Sequence, residues 1–116
     1  MLDSAATSGP QRAALAGIRV IELANFVSGP FIGMQLADYG ADVIKIEHPT
    51  RGDGIRTWGN RKNGIGLYHK VLNRNKKSVS ADLGTPLGVE IARRLVARAD
   101  VVIENFRPGT LEEWGL

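Results

Sequence analysis

Residues 19–47 read RVIELANFVSGPFIGMQLADYGADVIKIE. Arg19-Val20-Ile21-Glu22-Leu23 is a short, partly alternating apolar run and predicts a strand over 18–23. A short loop follows, and Ser28 stands where a side-chain cap would open a helix with Pro30 in its first turn. Phe31, Met34, Gln35, Leu36 and Asp38 have helical spacing, which predicts a helix over 30–39. Gly40 supplies its stop, because glycine readily takes the left-handed conformation past a helix end. Asp42 to Glu47, DVIKIE, is a second β-rich run. Strand, loop, helix, tight turn and strand make a βαβ unit.

Upstream, residues 1–14 mix Ser, Thr, Gly and Pro and are expected to form a flexible lead-in without the apolar stretch of a signal peptide. Downstream, 48–66 is rich in Gly, Arg and Asn and has no period, as in a long surface excursion. Leu67 to Leu72 is apolar but too short to assign. Asn73 to Lys77 is a polar, basic loop, and 78–82 a third strand. Thr85-Pro86 is a second helix-start signal. Leu87, Ile91 and Leu95 then repeat every four residues, predicting a helix over 86–98. Residues 100–104 form a fourth strand, whose Val101-Val102-Ile103 core suits a strand buried on both faces. Pro108 to Trp114 has room for a short helix. The alternation predicts an α/β fold with a mainly parallel sheet and right-handed crossovers. Ligands of such sheets bind outside the carboxyl ends of the strands, which selects the loops 24–29, 48–53 and 105–109.

The composition is that of a globular domain. The 116 residues are 43% hydrophobic and 23% charged, enough for one core. There is no cysteine, which excludes disulfides, zinc–thiolate sites and cysteine nucleophiles and suits a reducing cytoplasm. The net charge of +3 is a modest surplus with no long Lys/Arg block. It fits a solvated surface or a small phosphorylated ligand better than nucleic acid. No apolar run is long enough to span a bilayer.

Four stretches could carry chemistry. Asn25 to Pro30 is a strand-to-helix turn, which is either a structural cap or an anion site made of backbone N–H groups. It matches neither GxGxxG nor the GxxxxGK[ST] phosphate loop. Glu47 ends the second strand, where an acid holds a ribose hydroxyl in dinucleotide folds; the alternative is a solvent-facing strand end. His48 beside it could stack on a base or bind a phosphate. Arg51, Arg56, Arg61 and Lys62 follow, with plain solvation as the alternative to a ligand role. Asn73-Arg74-Asn75-Lys76-Lys77-Ser78 could meet phosphates or be an exposed basic turn. Asn105-Phe106-Arg107, leaving the fourth strand, offers amide, aromatic face and planar cation, a set that suits a nucleotide; Pro108-Gly109 could equally be only a turn.

The ordered series LAGIRVIEL, SGPF, LADYGADVIKIEHP, GD, LNRNKKSV, DLGTPLG and ARADVVIENFRPG closely resembles the family III CoA-transferases, also known as the L-carnitine dehydratase/bile-acid-inducible protein F type, which include formyl-CoA transferases. The likeness runs from about Leu15 to Leu116. The resemblance implies a Rossmann-like sheet in a larger domain, with 15–116 as its incomplete, N-terminal CoA-binding part. It implies a cytoplasmic enzyme that moves coenzyme A between an acyl-CoA and a free carboxylic acid, through an aspartyl intermediate and without a metal. Two chains would interlock as a homodimer, with no nucleic-acid or membrane partner. The nucleophilic aspartate is expected beyond residue 116, so Asp38, Asp42, Asp53, Asp82 and Asp100 are not candidates and the chain alone would be inactive. The resemblance assigns CoA contacts to Val27, Ser28, His48, Ala81, Asp82, Leu83, Gly84, Asn105, Phe106 and Arg107. His48 stands where relatives often have arginine, and Gly84 where they often have lysine. Two rivals remain: an α-methylacyl-CoA racemase of the same superfamily, using a His/Asp pair, and a non-catalytic nucleotide-binding module.

Overall fold

The computed structural model describes residues 12–116; most of the expected lead-in therefore lies outside the described residues. The chain runs β1 (Arg19–Leu23), α1 (Ser28–Asp38), β2 (Asp42–Glu47), a 3₁₀ turn (Gly54–Thr57), β3 (Arg61–Lys62), β4 (Ile65–Gly66), α2 (Leu67–Leu72), β5 (Lys77–Ser80), α3 (Pro86–Val96), β6 (Val101–Glu104) and α4 (Thr110–Glu113). Four strands form one parallel sheet in the order β5-β2-β1-β6. The chain therefore winds outward from β1 on one side, then returns to the other side for β6. The switch point lies between β1 and β6, where parallel sheets open a crevice for ligands.

Local chemistry explains the elements. Gly40, at φ 99°, closes α1. Its N–H reaches Ala37 O, and the N–H of Ala41 reaches Leu36 O, each at 3.0 Å, the paired bonds of a glycine-terminated helix. Thr85 caps α3 as expected, its Oγ1 accepting the Gly88 N–H at 3.1 Å. Ser28 does not cap α1. Val27 holds that position with no side-chain bond, and Ser28 is the first helical residue. The excursion after β2 contains the 3₁₀ turn and a two-stranded antiparallel hairpin, β3–β4. Leu67–Leu72 is helical because it has a place to bury Leu72, against Met34 and Ile55.

Two apolar clusters sandwich the sheet. On the α1 face lie Val20, Ala24, Val43 and Ile103 with Ala37 and Ala41. On the α3 face lie Ile21, Leu23, Ile46 and Ala81 with Ala92. The expectation that β6 is buried on both faces is corrected. Among the described residues it pairs with β1 alone and lies at the edge of the sheet, with Val101 and Val102 39% and 40% exposed.

Candidate functional site

The loop after β1 is held at three consecutive residues by three side chains. Lys45 Nζ donates to Ala24 O at 2.8 Å. Asn105 brackets Asn25, its Oδ1 accepting the Asn25 N–H at 2.9 Å and its Nδ2 donating to Asn25 O at 2.7 Å. Asp53 Oδ1 accepts the Phe26 N–H at 2.9 Å. Asn105 comes from the end of β6, so its amide ties the two strands that flank the switch point. Gly29 lets α1 start directly against this turn, since a Cβ there would overlap Ala24 Cβ. Phe26 takes φ 62°, a left-handed conformation uncommon for a bulky side chain.

Beside this loop, at the carboxyl ends of β2, β5 and β6, lies a cleft of about 320 Å³. Ile46, Ala81, Leu83, Phe106 and Trp114 supply apolar lining, and Asn25, His48, Arg51 and Asp82 polar groups. Phe106 and Trp114 meet edge to face, with ring centroids 5.1 Å apart. His48 Nδ1 accepts the N–H groups of Thr50 and Arg51, both at 3.2 Å. That fixes the ring proton on Nε2, which faces Asp82 Oδ2 at 3.6 Å. Asp82 Oδ1 takes the Gly84 N–H at 2.9 Å and so shapes the turn into α3. A hydrophobic lining with a few oriented polar groups is what a nucleotide-sized ligand requires.

Of the residues nominated from sequence, His48, Ala81, Asp82, Leu83, Gly84 and Phe106 line this cleft together. Val27, Ser28, Asn105 and Arg107 do not. Asn105 is occupied in bracketing Asn25, and its Nδ2 also reaches Ser28 Oγ at 3.3 Å. Val27 and Arg107 are exposed nearby. Arg51 and Phe26 lie in two of the loops selected from sequence but were not assigned a contact, and Trp114 lay outside them; all three line the cleft. Arg51 looked like one solvating charge among several, and Trp114 approaches Phe106 only because Gly109 turns the chain at φ 90°.

The structure bears on two other readings. Glu47 lines the cleft but is not a solvent-facing strand end. Only 6% exposed, it takes both Nε and Nη2 of Arg56, at 2.8 and 2.9 Å, and the Asp53 N–H at 2.9 Å. Burial raises its pKa, but these donors outweigh burial and leave it below the ordinary glutamate value. The basic loop is an exposed turn at Arg74 and Lys77, and its cations pair with acids of the same chain: Arg74 with Asp38, Lys76 with Glu22 and Lys77 with Asp42. Lys76 is enclosed, and burial pushes its pKa down against the pull of Glu22. Lys45 completes the set, at 2.8 Å from both Glu22 Oε1 and Asp53 Oδ2. Glu22 Oε2 has Lys76 Nζ as its neighbour at 2.7 Å, off the hydrogen-bonding direction.

The model of CoA-transferase family III matches residues 15–116. The chain belongs to CoA-transferase family III. It is 56% identical over 103 residues to a succinyl-CoA–D-citramalate CoA-transferase of Chloroflexus aurantiacus, covering 88% of this chain and 26% of that protein. It is 50% identical over 109 residues to a succinate–glutarate CoA-transferase of Agrobacterium fabrum, covering 88% of this chain and 27% of that one. A crystal structure of a CAIB/BAIF family protein from Brucella suis superposes with TM-score 0.84 at 49% identity, over 91% of this chain and 29% of that chain. This family III chain thus spans about a quarter of the length of these curated relatives.

Proposed function

We propose that this chain forms the coenzyme-A-binding part of an enzyme that moves CoA between an acyl-CoA and a free carboxylic acid. The cleft at the carboxyl ends of β2, β5 and β6 carries the reading, in a chain whose relatives are CoA-transferases. The adenine packs against Leu83 and Phe106, while His48 Nε2 and Arg51 face phosphate oxygens. Ser28 and Arg107 bind farther along the cofactor, outside the cleft proper. The acceptor is a small dicarboxylate, by analogy with the citramalate and glutarate named for the relatives.

In this reading an aspartate carboxylate attacks the acyl-CoA carbonyl, breaking the C–S bond and releasing CoA thiolate. The thiolate then attacks the aspartyl carbonyl of the resulting anhydride, forming an aspartyl thioester and freeing the donor acid. The aspartates described here do not supply that carboxylate. Asp38 and Asp42 are ion-paired, Asp53 is buried on Lys45, Asp82 shapes a turn, and Asp100 accepts the Arg19 N–H. The enzyme works as an interlocked homodimer in the cytoplasm, without a metal.

The test is to incubate the full-length protein with succinyl-CoA and glutarate, malate or citramalate, following thioester exchange by mass spectrometry. Formation of the acceptor's CoA thioester is expected. Failure with every acceptor, together with racemisation of a 2-methylacyl-CoA, would replace this reading with the racemase.

A further inference from the structure

We propose that Asp53 is a positioning residue for the cofactor cleft, locking Phe26 in its left-handed conformation so that the cleft wall is formed before CoA arrives. This rests on the reading of the cleft as a CoA site. Asp53 is 1% exposed and its two oxygens work in opposite directions. Oδ1 accepts the N–H groups of Phe26 at 2.9 Å and Ile55 at 3.0 Å. Oδ2 accepts Lys45 Nζ at 2.8 Å. Lys45 in turn is anchored on Glu22 and on Ala24 O, so the start of the loop and its Phe26 are tied to one ammonium.

Only a carboxylate satisfies this arrangement. Donors approach both ends of the Asp53 side chain, and an amide of the same shape would aim its NH₂ at one of them. The strained φ of Phe26 persists where surrounding contacts over-determine it, and here its N–H is the contact. On the far side the ring rests against Gly54, where an added Cβ would overlap Phe26 Cζ. Phe26 is thus held by its backbone from Asp53 and by its ring from Gly54. Asp53 does not line the cleft, whereas Phe26 and Gly54 do.

The experiment measures CoA affinity by calorimetry, and hydrogen exchange at the Phe26 amide, in the full-length protein. Asp53→Asn should speed Phe26 exchange and weaken CoA about tenfold, as expected if the competent loop falls to about a tenth of the population. In a Phe26→Gly background, where positive φ carries no strain, the same substitution should change affinity less than about twofold. If Asp53→Asn fails to fold, Gly54→Ala displaces the ring without touching the buried charges. It should weaken CoA in the parent and not in the Phe26→Gly background. Equal losses in both backgrounds, or unchanged Phe26 exchange in Asp53→Asn, would overturn the positioning role. Faster Phe26 exchange in a protein that binds no CoA would keep the lock and discard the CoA site.

Discussion

The two faces of the same sheet are built on different physics. The α3 face is an ordinary apolar layer, with Ile21, Leu23 and Ile46 against Ala92. The α1 face carries Glu22 and Lys45 in the middle of the sheet, 0% and 2% exposed, with Asp53 and Lys76 closing the set. Removing charges from water is costly unless each is paired and hydrogen-bonded. A buried ion group therefore needs a covering surface of fixed shape. Gly33 provides it on α1, where a Cβ would overlap Glu22 Oε2. The apolar face tolerates small changes of volume, whereas the charged face demands one arrangement. It is the charged face that reaches the loop walling the cleft, through Ala24 and Phe26.

Substitutions separate the two faces. Lys45→Met should have the largest effect, about 3–5 kcal/mol, because it leaves Glu22 and Asp53 enclosed without their shared cation; equilibrium urea unfolding measures it. Gly33→Ala should cost about 1–3 kcal/mol by forcing a methyl into the ion group. Ile21→Val, the matched probe of the other face, should cost about 0.5–1.5 kcal/mol in the same assay. If Ile21→Val proved the more damaging, the contrast between faces would be wrong.

Acid should sharpen the contrast. Glu47 has a folded pKa below its unfolded one. Its contribution is therefore present above the ordinary glutamate range and lost as pH falls through the depressed folded value. Urea midpoints should fall between neutral pH and the acid limb, and Arg56→Met should flatten that fall by removing the main partner. An unchanged pH slope in Arg56→Met would assign the acid sensitivity elsewhere. A similarly small effect is expected from Thr85→Ala, about 1 kcal/mol for loss of the α3 cap, with no change in pH slope.

The fold was legible because its main signals are local. Two capped or glycine-stopped helices alternate with four apolar runs, and all four parallel strands lie within a residue or two of the expected positions. The burial of Glu22, Lys45 and Glu47 was not legible. In RVIEL and DVIKIE the charges alternate with apolar residues, and that pattern looks the same whether the polar face meets water or a buried counter-ion. The discriminating clue lay elsewhere in the sequence: Lys76 and Asp53, thirty-one and eight residues from Lys45, become neighbours only once the sheet is assembled. The cleft was legible in its β2, β5 and β6 corners, at His48, Ala81 to Gly84 and Phe106. Trp114 escaped because it follows a short helix that starts from a left-handed glycine, Gly109, past the last selected loop.

Coenzyme A is proposed to occupy the cleft between His48, Leu83 and Phe106. Calorimetric titration of the full-length protein with CoA tests it most directly, alongside His48→Ala and Phe106→Ala. Saturable binding is expected, weakened by each substitution by about 1–3 kcal/mol, the range for one charge-assisted bond or one aromatic contact. Saturable binding of equal strength in all three proteins would place CoA somewhere else.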